Sequence, residues 1–182
     1  LPPEAVIDSL PGYAGSRPVR VGNAANQQVQ LDVFGPIVEL IVELANAREK
    51  AGDPDPLSDR DWELVCAMVE AVQRRWFEPD HGIREIRDNP RHHVYSKVMG
   101  WVTVDRAVDL ATRFSREALP EWAELRDQIA DEVRHKGWKD DVQSYTAAYD
   151  GTDLDAATLH IGLSGLIDPT DPRFAATVVA TE

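Results

Sequence analysis

Glu78, Asp80 and Glu85 all fall in the ten-residue run Glu78-Pro79-Asp80-His81-Gly82-Ile83-Arg84-Glu85-Ile86-Arg87. A carboxyl group whose pKa is raised by burial or by a neighbouring charge can protonate a departing oxygen near neutral pH, which is what cleavage of a glycosidic bond requires. Glu85 is the favoured donor because Gly82 permits a tight bend and Ile83 and Ile86 can anchor the loop. Spacing alone also allows Glu78 or Asp80.

His81, His92 and His93 lie in the same part of the chain. Adjacent His92 and His93 point in different directions in extended backbone, and no His-Glu-x-x-His helix or close cysteine set accompanies them, so no metal is expected. Neutral imidazoles bonded to carboxylates or sugar hydroxyls fit better. Tyr13, Trp76, Phe77, Tyr95, Trp138, Tyr145 and Tyr149 sit in or beside the same irregular stretches. Their ring planes can pack on the apolar C–H faces of sugars while Arg, Asn, Gln and Asp take the hydroxyls. Trp62, Trp101 and Trp122 stand in helical stripes and are expected in the core.

These residues are carried between helices. Phe34, Ile37, Val38, Ile41, Leu44 and Ala45 recur at helical spacing and predict a first helix over 33–48, with Asp32 as its cap and Pro36 tolerated in the first turn. Ser58 and Asp61 resemble a capping box ahead of a second helix, whose face is Trp62, Val65, Cys66, Val69, Val72 and Trp76. A third helix is predicted over 96–114. A fourth opens with Pro120 and runs to Lys136, with Gly137 as its C-cap. Asp153 is expected to cap a fifth helix through Ile161, and Asp171-Pro172 to start a sixth. If successive helices are antiparallel, connections 12–32, 78–95 and 138–152 emerge at one end of the array. Connections 49–57, 115–119 and 164–171 then emerge at the other. The long ones hold most of the polar and aromatic residues, which places a candidate site at their end. An elaborate structural loop face would produce the same asymmetry.

Composition narrows the partners. The chain has 182 residues with 43% hydrophobic and 28% charged, the make-up of a soluble globular domain. Its 32 Asp and Glu against 19 Lys and Arg give a formal charge of -13, which repels a nucleic-acid backbone. Apolar runs such as 37–43 are short and broken by glutamates, so no membrane span is expected. The opening Leu1-Pro2-Pro3-Glu4 lacks the features of a secretory signal, and the single Cys66 allows no internal disulfide. A cytoplasmic protein with a buried core thiol is expected. No helical repeat signature or phosphate-binding glycine loop is present.

Several ordered motifs go further. Residues 12–25 (Gly12-Tyr13-Ala14-Gly15-Ser16-Arg17-Pro18 and onward to Ala25), Gln28-Val29-Gln30-Leu31-Asp32-Val33-Phe34-Gly35 and Pro90-Arg91-His92-His93-Val94-Tyr95-Ser96-Lys97-Val98-Met99-Gly100-Trp101 resemble glycoside hydrolase family 15, the bacterial glucoamylase and trehalase-like enzymes. Gln143-Ser144-Tyr145, Leu154-Asp155-Ala156-Ala157 and 168–174 resemble it too. The resemblance implies an all-α fold of antiparallel helical hairpins forming part of an (α/α)6 toroid. It further implies inverting hydrolysis of an α-glucosidic bond, of maltose-type α-1,4 glucan or trehalose, without a cofactor. The family's acid follows a Gly-Ile-Trp-Glu-like signature, which carries over to Glu85. Arg84 replaces the aromatic residue, so a cation stands where a sugar-stacking wall is expected, and it either replaces that shelf or pairs with a nearby carboxylate.

By the same resemblance, Arg17 and Asn23 on the first loop, Gln30 and Asp32 at its junction with the first helix, and Arg87, His93 and Lys97 around the second loop are placed near the sugar or the acid. Each could instead brace a loop or cap a helix, Asp32 most clearly. No match to the family's general base or to its early Arg-Asp motif is found, so residues 1–182 are expected to be a partial catalytic domain, cut at both ends and partnered by its remainder. The alternative is a noncatalytic carbohydrate-binding or structural helical domain derived from the same family.

Overall fold

In a computed structural model, residues 3–22, 28–84 and 89–182 are described. The chain is mostly helical: α1 Phe34–Lys50, α2 Asp59–Arg75, α3 Val94–Arg113, α4 Glu121–Lys136, the short α5 His160–Leu163, and α6 Pro172–Thr181. Two antiparallel two-residue hairpins accompany them. β1 Ala5–Val6 pairs with β2 Arg20–Val21, and β3 Trp138–Lys139 with β4 Ser144–Tyr145.

Helix α3 is the centre. Fourteen of its twenty residues are buried, so it has no solvent stripe of the usual kind and must be covered on several sides. Its neighbours are α1, α2, α4 and α5. Helix α1 supplies Val38, Ile41 and Ala45 to the shared core, and Gly35 lets it approach closely, since a Cβ there would stand 2.9 Å from the Met99 carbonyl and sulfur. Helix α2 contributes Val65, Met68, Val69 and Val72, and α4 contributes Trp122, Leu125, Ile129 and Val133. Trp62 and Trp122 meet at 5.8 Å, and Trp101 and Trp122 are buried as expected. Cys66 is half-buried against this core, and burial pushes its thiol pKa up.

The long connections meet at one end, as the alternation of helices predicts. His81 N–H donates to the Val29 carbonyl at 2.9 Å, Tyr149 N–H to the His92 carbonyl at 3.0 Å, and Val94 N–H to the Ala147 carbonyl at 3.0 Å. Two short connections are tied together at the other end, where Arg116 reaches the Leu57 carbonyl at 2.5 Å and Arg113 reaches Asn46 at 2.7 Å. The connection after α5 departs from the scheme. Arg106 donates to the Ser164 carbonyl and Arg134 to the Leu166 carbonyl, both at 2.8 Å, which sews that segment along α3 and the last turn of α4.

Other boundaries shift for local reasons. The N-cap of α1 is Val33, one residue beyond the predicted Asp32. Val94 N–H finds its partner in the third connection, so α3 starts two residues earlier than the pattern suggests. The fifth helix is capped by Asp155, not Asp153. It opens as a 3-10 turn over Ala156–Leu159 and α5 adds only four residues before Gly165 turns left-handed at φ 88°. The stretch expected to be irregular after Trp138 contains the β3–β4 hairpin, pinned by the edge-on contact of Trp138 with Tyr145 at 5.4 Å. Among the described residues, no helix is long and apolar enough to cross a membrane.

Candidate active site

The second long connection is held from beneath by Asp80. Its backbone pairs with Arg91 in both directions at 2.9 Å, and its fully buried carboxylate accepts from Leu31 N–H at 3.0 Å. This fastens the first connection to the second. His81 adds to the clasp, its Nδ1 lying 3.1 Å from the Val29 nitrogen and 3.3 Å from the Val29 carbonyl oxygen. Gly82 follows, buried and at φ 63°, a left-handed conformation open to glycine at little cost. A Cβ there would meet the His93 ring at 2.8 Å, so the bend and the imidazole share one space.

Lys97 carries the load under this loop. It is 1% exposed, and its ammonium donates to the Trp76 carbonyl and, at 2.5 Å, to the Glu78 carbonyl, groups left over where α2 ends. Burial pushes its pKa down from 10.5 to about 8, against the opposing charges of Asp80 and Glu132. Beside it His92 stacks on Tyr149 at 5.8 Å, and burial followed by the nearby Lys97 charge lowers the imidazole pKa. Burial and the Glu132 carboxylate push the Tyr149 phenol up.

The bend at Gly82 and the His93 ring also line a pocket of about 240 Å³. Its lining includes residues 82–84, His93, Tyr95 and residues 153–155. Arg84 reaches across to Asp155 with two bonds, Nε to Oδ2 at 2.7 Å and Nη2 to Oδ1 at 2.8 Å. Asp155 also accepts from Ala157 N–H at 2.9 Å. The Arg84 bonds hold its carboxyl below the ordinary 3.8. Arg91 donates to Asp150 at 2.8 Å and lies 3.7 Å from Asp153. Both guanidiniums at the pocket are thus matched by aspartates, and the walls offer neutral polarity more than free positive charge.

The site residues expected from sequence divide clearly. His93 lines the pocket, whereas Lys97 does not and is bonded to the carbonyls of Trp76 and Glu78. Gln30 and Asp32 belong to the segment clasped to Asp80, and Asp32 lies near enough to Tyr95 to add to the burial that raises the phenol pKa. Arg17 donates to the Asp8 carbonyl at 3.2 Å, away from the pocket lining. Asn23, Glu85 and Arg87 lie outside the described residues. Of the other two carboxylates weighed as donor, Asp80 is buried beneath the loop and Glu78 is paired with Arg75 at 2.8 Å, so neither lines the pocket. Tyr145, expected as a sugar-stacking plane, is wholly buried and packs on Trp138. Tyr13 is 92% exposed. No group of three or more His, Cys, Asp and Glu side chains gathers as a metal site among the described residues.

Sequence reasoning missed Arg91, Asp150 and Asp153, and did not pair Arg84 with Asp155. The partners stand 59 and 71 residues apart, and such pairing leaves no local periodicity. The one usable signal was Asp155 itself, two residues before Ala157 at a helical start, a capping arrangement.

Residues 4–182 match the family described as Glycosyl hydrolases family 15. The chain is 36% identical over 180 residues to a trehalase of Thermoplasma volcanium, covering 98% of this chain and 28% of that protein. It is 36% identical over 178 residues to a trehalase of Mycobacterium tuberculosis, covering 97% and 25%. With trehalase 1 of Sulfolobus acidocaldarius the identity is 34% over 181 residues, covering 100% and 30%. The chain therefore spans less than a third of the length of these relatives. No solved structure matches it.

Proposed function

Because the chain belongs to glycosyl hydrolase family 15, we propose that it is part of a catalytic domain, an arc of an (α/α)6 toroid, whose complete parent protein hydrolyses an α-glucosidic bond with inversion. Glu85 is the general acid. It gives its proton to the glycosidic oxygen as the bond to the anomeric carbon breaks. A second carboxylate, supplied from outside residues 1–182, takes a proton from the water that attacks the opposite face of the ring. The two carboxyl groups of such a pair stand about 6.5–9.5 Å apart to admit that water. The observation that carries this reading is the pocket bounded by residues 82–84, the three residues leading into Glu85. Its volume of about 240 Å³ falls below the roughly 300–1,000 Å³ of sites that enclose drug-sized ligands, and suits a single sugar ring.

Trehalose is the favoured substrate, because the relatives that match nearly the whole chain carry the name trehalase. Maltose-type α-1,4 glucan is the alternative within the same chemistry. Asp153, His93 and Tyr95 can meet sugar hydroxyls and C–H faces within the pocket, while the Arg84–Asp155 and Arg91–Asp150 pairs leave little free charge for an anionic substrate.

The test is Glu85→Gln in the complete parent protein. Turnover of trehalose should fall by about two to four orders of magnitude while the fold and sugar binding persist. Wild-type turnover by that variant would remove Glu85 from the donor role. Absence of hydrolysis in the wild-type parent, with sugar binding retained, would favour the noncatalytic carbohydrate-binding alternative.

A further inference from the structure

We propose that Arg84 and Asp155 form a latch that fixes the chain where it enters Glu85, so that both are positioning residues for proton donation. This rests on the reading of Glu85 as the general acid.

Arg84 immediately precedes Glu85 in the chain, so fixing one restricts where the other can go. Two parallel bonds of 2.7 and 2.8 Å hold the guanidinium edge-on to the carboxylate, a geometry that sets direction as well as distance. Asp155 is itself anchored in the fold. Its Oδ1 caps the 3-10 turn at Ala157, which runs into α5, and Ile161 of α5 is fully buried against the core. The latch therefore ties the second long connection to a fixed point on the third. Ile83 is half-exposed, so apolar burial does little of this holding.

Two other roles for Arg84 fit less well. As a sugar ligand it would have to work with Nη1 and the remaining Nη2 hydrogen, because the Nε–Nη2 edge is committed to Asp155. As an electrostatic tuner it would oppose the raised pKa an acid needs, but Asp155 beside it largely cancels its charge. Magnitudes separate a latch from a stability role. Exposed ion pairs contribute little to folding, typically about 0–1 kcal/mol, whereas a displacement of about 1 Å at a reacting group can cost about a hundredfold in rate.

Arg84→Lys, Asp155→Asn and the double variant would be made in the complete parent protein. Lysine keeps the charge but loses the fork, and asparagine keeps an acceptor for Ala157 N–H. Each single change should lower kcat on trehalose by roughly ten- to a hundredfold with KM nearly unchanged, and the double should be no worse than the poorer single. Thermal unfolding should stay at the wild-type midpoint. With an α-glucosyl fluoride, whose leaving group needs less protonation, the losses should be several-fold smaller. Wild-type kcat in Arg84→Lys would show that charge suffices and overturn the latch. A raised KM with unchanged kcat would make Arg84 a ligand and overturn it too, as would losses that multiply in the double. In a Glu85→Gln background the latch variants should cost nothing more. A further loss there would overturn the latch while leaving the assignment of Glu85, which stands or falls on Glu85→Gln alone.

Discussion

Lys97 shows how a single residue can support a site without touching its contents. Its side chain is a buried cation under the candidate loop, bonded to two carbonyls where α2 runs out. The folded-state pKa of about 8 lies below the ordinary 10.5, so between those values the unfolded chain binds a proton that the folded one does not. Stability contributed at this position must therefore rise as pH increases from about 8 to 10.5. The stability advantage of wild type over Lys97→Met is expected to grow by about 3 kcal/mol across that window. Denaturant titrations of both proteins at pH 7 and pH 10.5 check it, and a constant difference would show that burial does not perturb the amine. The sequence placed Lys97 in a family motif, but its solvation is set by residues 76–80 folding over it.

At the scale of elements, the starts of α2 and α6 were legible because their capping chemistry is local. Ser58 accepts from Asp61 N–H at 3.2 Å and donates to the Asp61 carboxylate at 2.7 Å, closing the predicted box at the head of α2. The Ser58 bond and then Arg48 hold the Asp61 carboxyl below 3.8. Ser58→Ala is expected to cost about 1 kcal/mol at neutral pH. The part owed to the ionised carboxylate is present above pH 3.8 and is lost as pH falls through the lower folded-state value, so the deficit should shrink in acid. Paired melts of wild type and variant at pH 7 and pH 3 measure this. Asp171-Pro172 was equally legible and caps α6 as predicted. The brevity of α5 was not, because its apolar residues carry the right pattern but Gly165 ends it before a second turn can form.

At the scale of the whole molecule, α1 leaves Ile37, Leu40 and Leu44 exposed along one side, positions at helical spacing that form a continuous apolar stripe. With the general base outside residues 1–182, as proposed above, that stretch prepared alone is expected to self-associate through such surface and to release no measurable glucose from trehalose beside the parent protein. Light scattering and a glucose assay on the isolated chain test both parts. Robust Glu85-dependent hydrolysis by the isolated chain would place the general base among its own carboxylates.

The periodicity of apolar residues, the caps and the lengths of the connections determined from sequence that four long helices form and that three loaded loops meet at one end, because each depends on neighbours within a few positions. The pocket depended on distances no local pattern encodes. Asp80 reaching Leu31, His93 filling the space over Gly82 and Arg84 meeting Asp155 join residues 11 to 71 positions apart, and only the packing of helices around α3 brings them within bonding range. Whether a charged side chain faces solvent, a carbonyl or another charge is likewise a property of that packing, which is why Asp80 and Glu78, indistinguishable from Glu85 by spacing, sit outside the pocket lining.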